Sequence, residues 1–256
     1  MGYLKMQNLK MQNLKISNVC PILKEHEQFH NTYDHEPLQL NYYFKCERII
    51  SPYGDELGCE VLLDFKKAHE TIGEHASFQY EKAIYNGSAL EVLIEKLIGC
   101  YSALQMERLF VNVERSYLCN RPLLQRAVML AKKLRLSGVE LVLEITERNL
   151  CGKCPKIMSG LRYLKSFDIA LAADDFDIYG NDFRLGEVLS GFYDYIKIEM
   201  PSNDVERKMF NDFVLERSFS REKIILEKVE EPTMLNGLFT PFGVQGYGYG
   251  ESRKIF

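Results

Sequence analysis

A chain of 256 residues with 46% hydrophobic and 27% charged side chains has the make-up of a globular protein and suits one large α/β domain. Its net charge of −4, with both signs interspersed, gives no basic footprint for duplex nucleic acid. No apolar run is long enough to span a membrane and no apolar segment opens the chain as a signal peptide would, so a cytoplasmic location is expected.

The first fifteen residues repeat a unit, Lys5-Met-Gln-Asn-Leu9 and Lys10-Met-Gln-Asn-Leu14, at a five-residue period that fits neither a heptad nor a helical face. Residues 1–37 therefore read as a flexible leader, with His26, His30 and His35 too unevenly spaced for a ligand set. From Leu38 to Ile50 the chain reads as a strand. Ser51-Pro-Tyr-Gly-Asp55 makes a turn and Gly58 to Phe65 a second strand, an antiparallel hairpin. Ser88-Ala-Leu-Glu91 is a capping box that opens a helix with Leu90, Leu93, Ile94, Leu97, Ile98 and Tyr101 on one face.

Strand and helix then alternate. Strands are predicted at Leu109–Val113, Val139–Thr146, Phe167–Ala173, Tyr193–Ile198, Lys223–Val229 and Phe242–Gly246. Helices are predicted from Pro122, from Pro155, over Asp182–Leu189, over Asn203–Leu215 and, briefly, over Thr233–Leu238. A β-then-α spacing near thirty residues implies parallel strands with right-handed crossovers. Eight strands in this length, with no glycine-rich dinucleotide loop after the first, predict an α/β fold: a TIM-like (β/α)8 barrel over residues 38–256.

Cysteine usage adds little. Seven scattered thiols, an odd number, suit a reduced state. Cys151-Gly-Lys-Cys154 is half a zinc site, with no second pair and no histidine after position 75, and reads as incidental thiols near a helix start.

The informative pattern is the polar residue at or near the end of each strand: Glu60, Asn112, Glu144, Asp174 with Asp175, Lys197, Glu227 and Gln245. Strand interiors disfavour these types, so each breaks its local pattern. A barrel gathers the C-terminal ends of its strands on one face. Seven strands would thus aim five carboxylates, two amides and one lysine at a common pocket. Five carboxylates repel one another unless cations neutralise them. An all-oxygen set without convergent histidine or cysteine points to two hard divalent ions, Mg2+ or Mn2+, in the arrangement that attacks phosphodiesters. Lys197 would orient the attacking water or bind a phosphate oxygen; the plainer alternative pairs it with Glu199.

Cys59-Glu60-Val-Leu-Leu63, Asn112 in Val-Asn-Val, Glu144-Ile-Thr-Glu147, Asp174-Asp175-Phe176, Lys197-Ile-Glu199, Glu227-Lys-Val-Glu230 and Gln245-Gly246 resemble, in order, the motifs of EAL domains, phosphodiesterases that linearise cyclic di-GMP. The resemblance spans residues 38 to 250 and implies a barrel whose first strand runs antiparallel to the rest. Glu60, Asn112, Glu144 and Asp174 would hold one metal, and Asp174, Asp175 and Glu227 the second. Lys197 would position the hydrolytic water and Gln245 would act on it or on the metal shell. Glu147 would brace the loop after the aspartate pair, and Glu230 would support the metal ligands from behind. The resemblance implies opening of one phosphodiester to give the linear dinucleotide pGpG.

The chain also departs from that pattern. The loop after the aspartates reads Asp177-Ile-Tyr-Gly180-Asn-Asp182 where the family has Gly-Thr-Gly, so a further negative charge is expected beside the metals. A phosphate-binding arginine of the family is Asp64 here, and its Tyr-Gln-Pro is Tyr42-Tyr-Phe-Lys45. Residues 66–77 are unlike the family, and little follows the last strand. Two functions follow from the resemblance: a metal-dependent cyclic di-GMP phosphodiesterase, or a degenerate domain that binds the dinucleotide or a partner without hydrolysis. Partners compatible with it are a second copy of the chain or a transcription regulator.

Overall fold

An antiparallel hairpin opens the barrel. β1 (Phe44–Ile50) pairs with β2 (Glu56–Leu63) from Phe44 opposite Leu63 to Ile50 opposite Glu56, with one register shift at Ile49 and Ile50. In the turn, Ser51 Oγ accepts from the amides of Tyr53 and Asp55 while Gly54 takes a positive φ of 99°. The computed structural model describes residues 42–73, 75–148, 154–180, 182–216, 221–246 and 253–254. The 1–37 leader and its repeat lie outside these residues, as does Cys151.

β2 pairs in parallel with β3 (Arg108–Val113), and the ladder continues through β4 (Glu140–Ile145), β5 (Ala170–Ala173), β6 (Tyr195–Glu199), β7 (Ile224–Glu227) and β8 (Gly243–Val244). β8 meets β1 antiparallel at Ile50 and Val244, which closes an eight-stranded barrel with an antiparallel first strand, as predicted. A further short strand, β9 (Arg253–Lys254), pairs antiparallel with β1 at Cys46 and Lys45. The sequence pattern gave no hint of it, because two polar residues carry no alternation.

The predicted helices form with altered limits. α1 (Phe65–Ile72) and α2 (His75–Asn86) fill a stretch left unassigned from the sequence. Asp64 starts α1 by accepting from the Lys67 amide at 2.9 Å. In α3 (Ser88–Cys100) the anticipated face is buried through Leu90, Leu93, Ile94 and Leu97, each contributing about 1.5–3 kcal/mol by leaving water. The capping box does not form. Gly87, at φ 84°, is the cap residue, and Ser88 Oγ bonds instead to the Tyr42 hydroxyl at 2.9 Å.

α4 (Arg121–Leu136) is capped by Asn120 and α5 (Pro155–Lys165) begins at its proline, with Cys154 as the cap residue. α6 shrinks to Leu185–Leu189, preceded by a turn in which the Asp182 carbonyl accepts from the Leu185 amide at 3.1 Å, and α7 covers Asp204–Glu216. The Thr233–Leu238 helix is a single 3-10 turn, Pro232–Leu235. β5 starts three residues later than predicted, since Asp168 turns the chain at φ 55°.

The reduced-thiol expectation fails at one place. Cys46 and Cys59, on adjacent strands with Cα atoms 5.9 Å apart, form a disulfide. They stand thirteen positions apart in sequence, so only the hairpin register brings them together.

α5 packs tightly on the 3-10 turn Arg115–Cys119. A Cβ at Gly160 would stand 2.2 Å from the Leu118 carbonyl oxygen, backbone that cannot swing away. Gly160→Ala is expected to destabilise the barrel by about 1–3 kcal/mol. A urea melt reads this, and a midpoint equal to the parent's would contradict the contact.

Candidate active site

The barrel interior is built in layers, and strand periodicity makes the site the upper one. A layer of Ile49, Phe110, Val142, Ala170, Ala172 and Ile225, with Leu57, Tyr195 and Phe242 packed against it, fills the centre. Two residues further along a strand the side chain points the same way. Asn112 follows Phe110, Glu144 follows Val142, Asp174 follows Ala172, Lys197 follows Tyr195 and Glu227 follows Ile225 at that spacing. Register sets them side by side: Asn112 lies opposite Glu144, and Glu227 opposite Glu199, one strand from Lys197. The polar residues that broke the sequence pattern are thus the lid of the apolar core.

Lys197 is the hub. Its ammonium lies 2.9 Å from Glu60, 3.1 Å from Glu144, 3.1 Å from Asp174 and 2.9 Å from Glu227, and its side chain is buried. The alternative pairing with Glu199 does not occur, for Glu199 pairs with Lys228 at 2.9 Å. Glu60 also accepts from Gln245 Nε2 at 2.7 Å and from Asn112 Nδ2. Seven of the eight strand-end residues therefore form one network, Asn112 and Gln245 through Glu60, and Glu60, Glu144, Asp174 and Glu227 through Lys197. Asp175 stands apart, exposed, just past β5.

One ammonium cannot neutralise four buried carboxylates. Burial pushes Glu60 up, but the Lys197 charge and the hydrogen bonds from Gln245 and Lys197 outweigh it and hold the carboxyl at about 2. Burial and then repulsion from Glu60 raise Glu144 well above the carboxylate range. Burial also raises Asp174, and lifts Glu227 to about 7, against the pull of Lys197. Burial would lower Lys197, yet the four carboxylates hold it well above its usual value. The surplus negative charge must be met by protons or by cations.

No protein-family model and no curated protein matches the chain. Solved structures do. The PaMucR phosphodiesterase in complex with c-di-GMP superposes with a TM-score of 0.61 at 16% identity, covering 84% of this chain and 98% of that one. The EAL domain of Mycobacterium smegmatis DcpA gives 0.57 at 16% identity over 83% and 91%, and the FimX EAL domain from Pseudomonas aeruginosa bound to c-di-GMP gives 0.56 at 18% over 83% and 90%. The chain has the EAL-domain fold.

Within that fold the donors suit hard divalent cations. Asn112 Oδ1, Glu147 Oε2, Glu227 Oε2 and Gln245 Oε1 are buried acceptor oxygens without a hydrogen-bond partner. Ligand oxygens of Glu147, Asp174 and Asp175 lie within 4.8 Å of one another. Unsatisfied oxygens and surplus carboxylate charge are what Mg2+ or Mn2+ requires.

In the loop after β5, Asp177 lies outside the carboxylate group of Glu147, Asp174 and Asp175. Its Oδ1 accepts from the amides of Tyr179 and Gly180 at 2.9 and 2.8 Å, closing a local turn. Glu147, expected to brace this loop, has its carboxylate beside Asp174 and Asp175 at the start of it. The loop is held by Asp182 and Arg184, which sequence reading passed over. A buried arginine looks like any surface arginine in sequence, and only the short Asp182-Phe-Arg184 spacing could have signalled the pair. Arg115 was also missed. It is buried, bonded to Glu187 through both terminal nitrogens, and Glu187 also accepts from the Tyr193 hydroxyl at 3.0 Å. Glu230 is exposed and stands outside the cluster.

Beside Asn112 a cavity of about 520 Å3 opens between the barrel and α1 to α3. Phe44, Leu63, Phe65, Tyr85, Leu90 and Tyr117 are among its walls, and Lys45, Asp64, Lys66, Glu81, Glu114 and Arg148 contribute charge. Asp64 is occupied as the cap of α1. Arg148 pairs with Glu114 at 3.2 Å and keeps a side chain 46% exposed.

Proposed function

We propose that the chain is a metal-dependent phosphodiesterase that opens cyclic di-GMP to the linear dinucleotide pGpG. The observation that carries this reading is the Lys197 hub: four carboxylates from four strands held round one ammonium at the C-terminal end of an EAL-fold barrel, with unsatisfied oxygens beside them. Glu60, Asn112, Glu144 and Asp174 would hold one divalent ion, and Asp174, Asp175 and Glu227 the second, with Glu147 close enough to join. Bound there, the two ions supply Lewis acidity toward the phosphate and lower the pKa of water.

The protein's own residues divide the remaining work. Lys197 fixes the carboxylates of Glu60, Glu144, Asp174 and Glu227 relative to one another, so the ligand set is organised before a cation arrives. Gln245 spends its amide nitrogen on Glu60, which leaves its oxygen free to accept from the hydrolytic water. Phe44, Phe65, Tyr85 and Tyr117 give the cavity beside Asn112 apolar surface that suits a planar base. Arg148 on its wall offers a phosphate the cation that Asp64 does not. Arg148→Ala is expected to raise KM for cyclic di-GMP about tenfold, equivalent to ~1.4 kcal/mol, with kcat within about a factor of two. Steady-state kinetics check it, and an unchanged KM would remove Arg148 from substrate binding.

Incubation with cyclic di-GMP and Mn2+ or Mg2+, with chromatography of the products, tests the reading. Linear pGpG that vanishes with EDTA supports it. Binding of the dinucleotide without turnover would assign the chain as a sensor instead.

A further inference from the structure

We propose that Asp182 and Arg184 form a buried clamp that sets the backbone of the Asp174-Asp175 pair for cation binding, which makes them positioning residues of the site. The inference rests on the metal reading above and names what holds its least supported ligand in place.

Asp175 needs such support. It has φ 45°, a left-handed conformation that costs a non-glycine residue roughly 1 kcal/mol or more. Its side chain is exposed, so packing does not fix it. Its main chain is held at the Phe176 amide, which donates to the Lys197 carbonyl at 2.8 Å, and at its own carbonyl by Arg184, whose side chain is fully buried. One terminal nitrogen donates to the Asp175 carbonyl at 3.2 Å and to Asp182 Oδ2 at 2.7 Å. The other donates to the Ile145 carbonyl at 2.9 Å. The Ile145 carbonyl also accepts from the Asp174 amide at 3.2 Å. The guanidinium therefore ties the end of β4, which carries Glu144 and Glu147, to the end of β5, which carries the aspartates.

Asp182 completes the clamp from the loop side. Its Oδ1 accepts from Arg184 Nε at 3.0 Å and from the Arg184 amide at 2.7 Å, and its Oδ2 accepts from the Asp177 amide at 3.2 Å. The fork of Arg184 so meets a carboxylate on one side and two main-chain carbonyls on the other. The rings of Phe176 and Phe183 lie 5.6 and 5.8 Å from it. A lysine has one nitrogen and no planar fork, and cannot serve all three acceptors in this geometry. A buried arginine with only a packing role could be satisfied anywhere in the shell. This one spends its donors on the two strand ends that bear ligands.

The test compares the full-length parent with Arg184→Lys and Asp182→Asn. Mn2+ binding is measured by calorimetry on folded protein, alongside kcat and KM for cyclic di-GMP. The expected result is Mn2+ affinity at least tenfold weaker in either variant, with kcat falling and KM for the dinucleotide nearly unchanged. A purely structural role would lower Tm and leave the affinity of the folded fraction alone, so parental Mn2+ affinity in a folded variant overturns the clamp. If Arg184→Lys does not fold, Asp182→Asn decides by the same criterion. A parent that binds no Mn2+ overturns the clamp together with the metal reading, whereas equal binding by parent and variants overturns the clamp only.

Discussion

Lys197→Met is expected to abolish turnover and to lower the stability of the metal-free protein by about 3–5 kcal/mol. The lysine is the one cation within reach of Glu60, Glu144, Asp174 and Glu227 among the described residues, and all four side chains are at most 14% exposed. Removing it leaves buried like charges that can escape repulsion only by taking up protons. The loss should therefore be larger at pH 8 than at pH 6, because protonation of the orphaned carboxylates is easier in acid. Saturating Mn2+ should return part of the stability by substituting one cation for another. Chemical denaturation with and without metal reads each of these effects. A variant with the parent's midpoint at pH 8 would mean that Lys197 is not the charge that holds the layer together.

Metal removal should itself make stability fall as pH rises through neutrality. Glu227 has a folded pKa of about 7, raised by burial above the ordinary carboxylate value, and Glu144 and Asp174 are raised as well. A raised folded pKa contributes stability that is fully present below the unfolded value and is lost as pH climbs through the folded one. For Glu227 the loss runs from the ordinary carboxylate value of 4.5 up to about 7 and is complete above it. Divalent ions bind the deprotonated forms, so they should offset this loss and stabilise more at pH 8 than at pH 6. At about 100 times the dissociation constant, bound metal adds about 2.7 kcal/mol, roughly 5–10 °C in Tm for a chain of this size. Thermal melts in EDTA and in Mn2+ at the two pH values test the sign. A metal effect independent of pH would show that these carboxylates are already ionised without the cation.

The site was more legible in the sequence than the shell around it, for a physical reason. Glu60, Asn112, Glu144, Asp174, Lys197, Glu227 and Gln245 are polar residues in buried strands, and such residues stand out because nothing in local propensity explains them. Their convergence followed from barrel closure alone. The helices α1 and α2 were missed because α1 is only eight residues long, too short for its apolar face to repeat, and the pair is completed by tertiary contact, as in the packing of Tyr80 against Tyr42 and Phe65. The Cys46–Cys59 bond depends on hairpin register, which spacing does not reveal. The turn that the Asp177 carboxylate closes was not legible, because an aspartate beside a metal motif shows its charge in sequence and not the amides it will accept from. Arg184 and Arg115 escaped because burial of an arginine is decided by distant partners, Ile145 for one and Glu187 for the other.

The claim that the Lys197 layer is a phosphodiesterase centre is tested most directly by comparing the parent with Glu60→Ala in excess Mn2+. Glu60 accepts from Lys197, Asn112 and Gln245 and is the residue through which those three are joined. Release of linear pGpG from cyclic di-GMP by the parent, with loss of at least a thousandfold in the variant, is the predicted result. No product from the parent, or equal rates from both proteins, would contradict it.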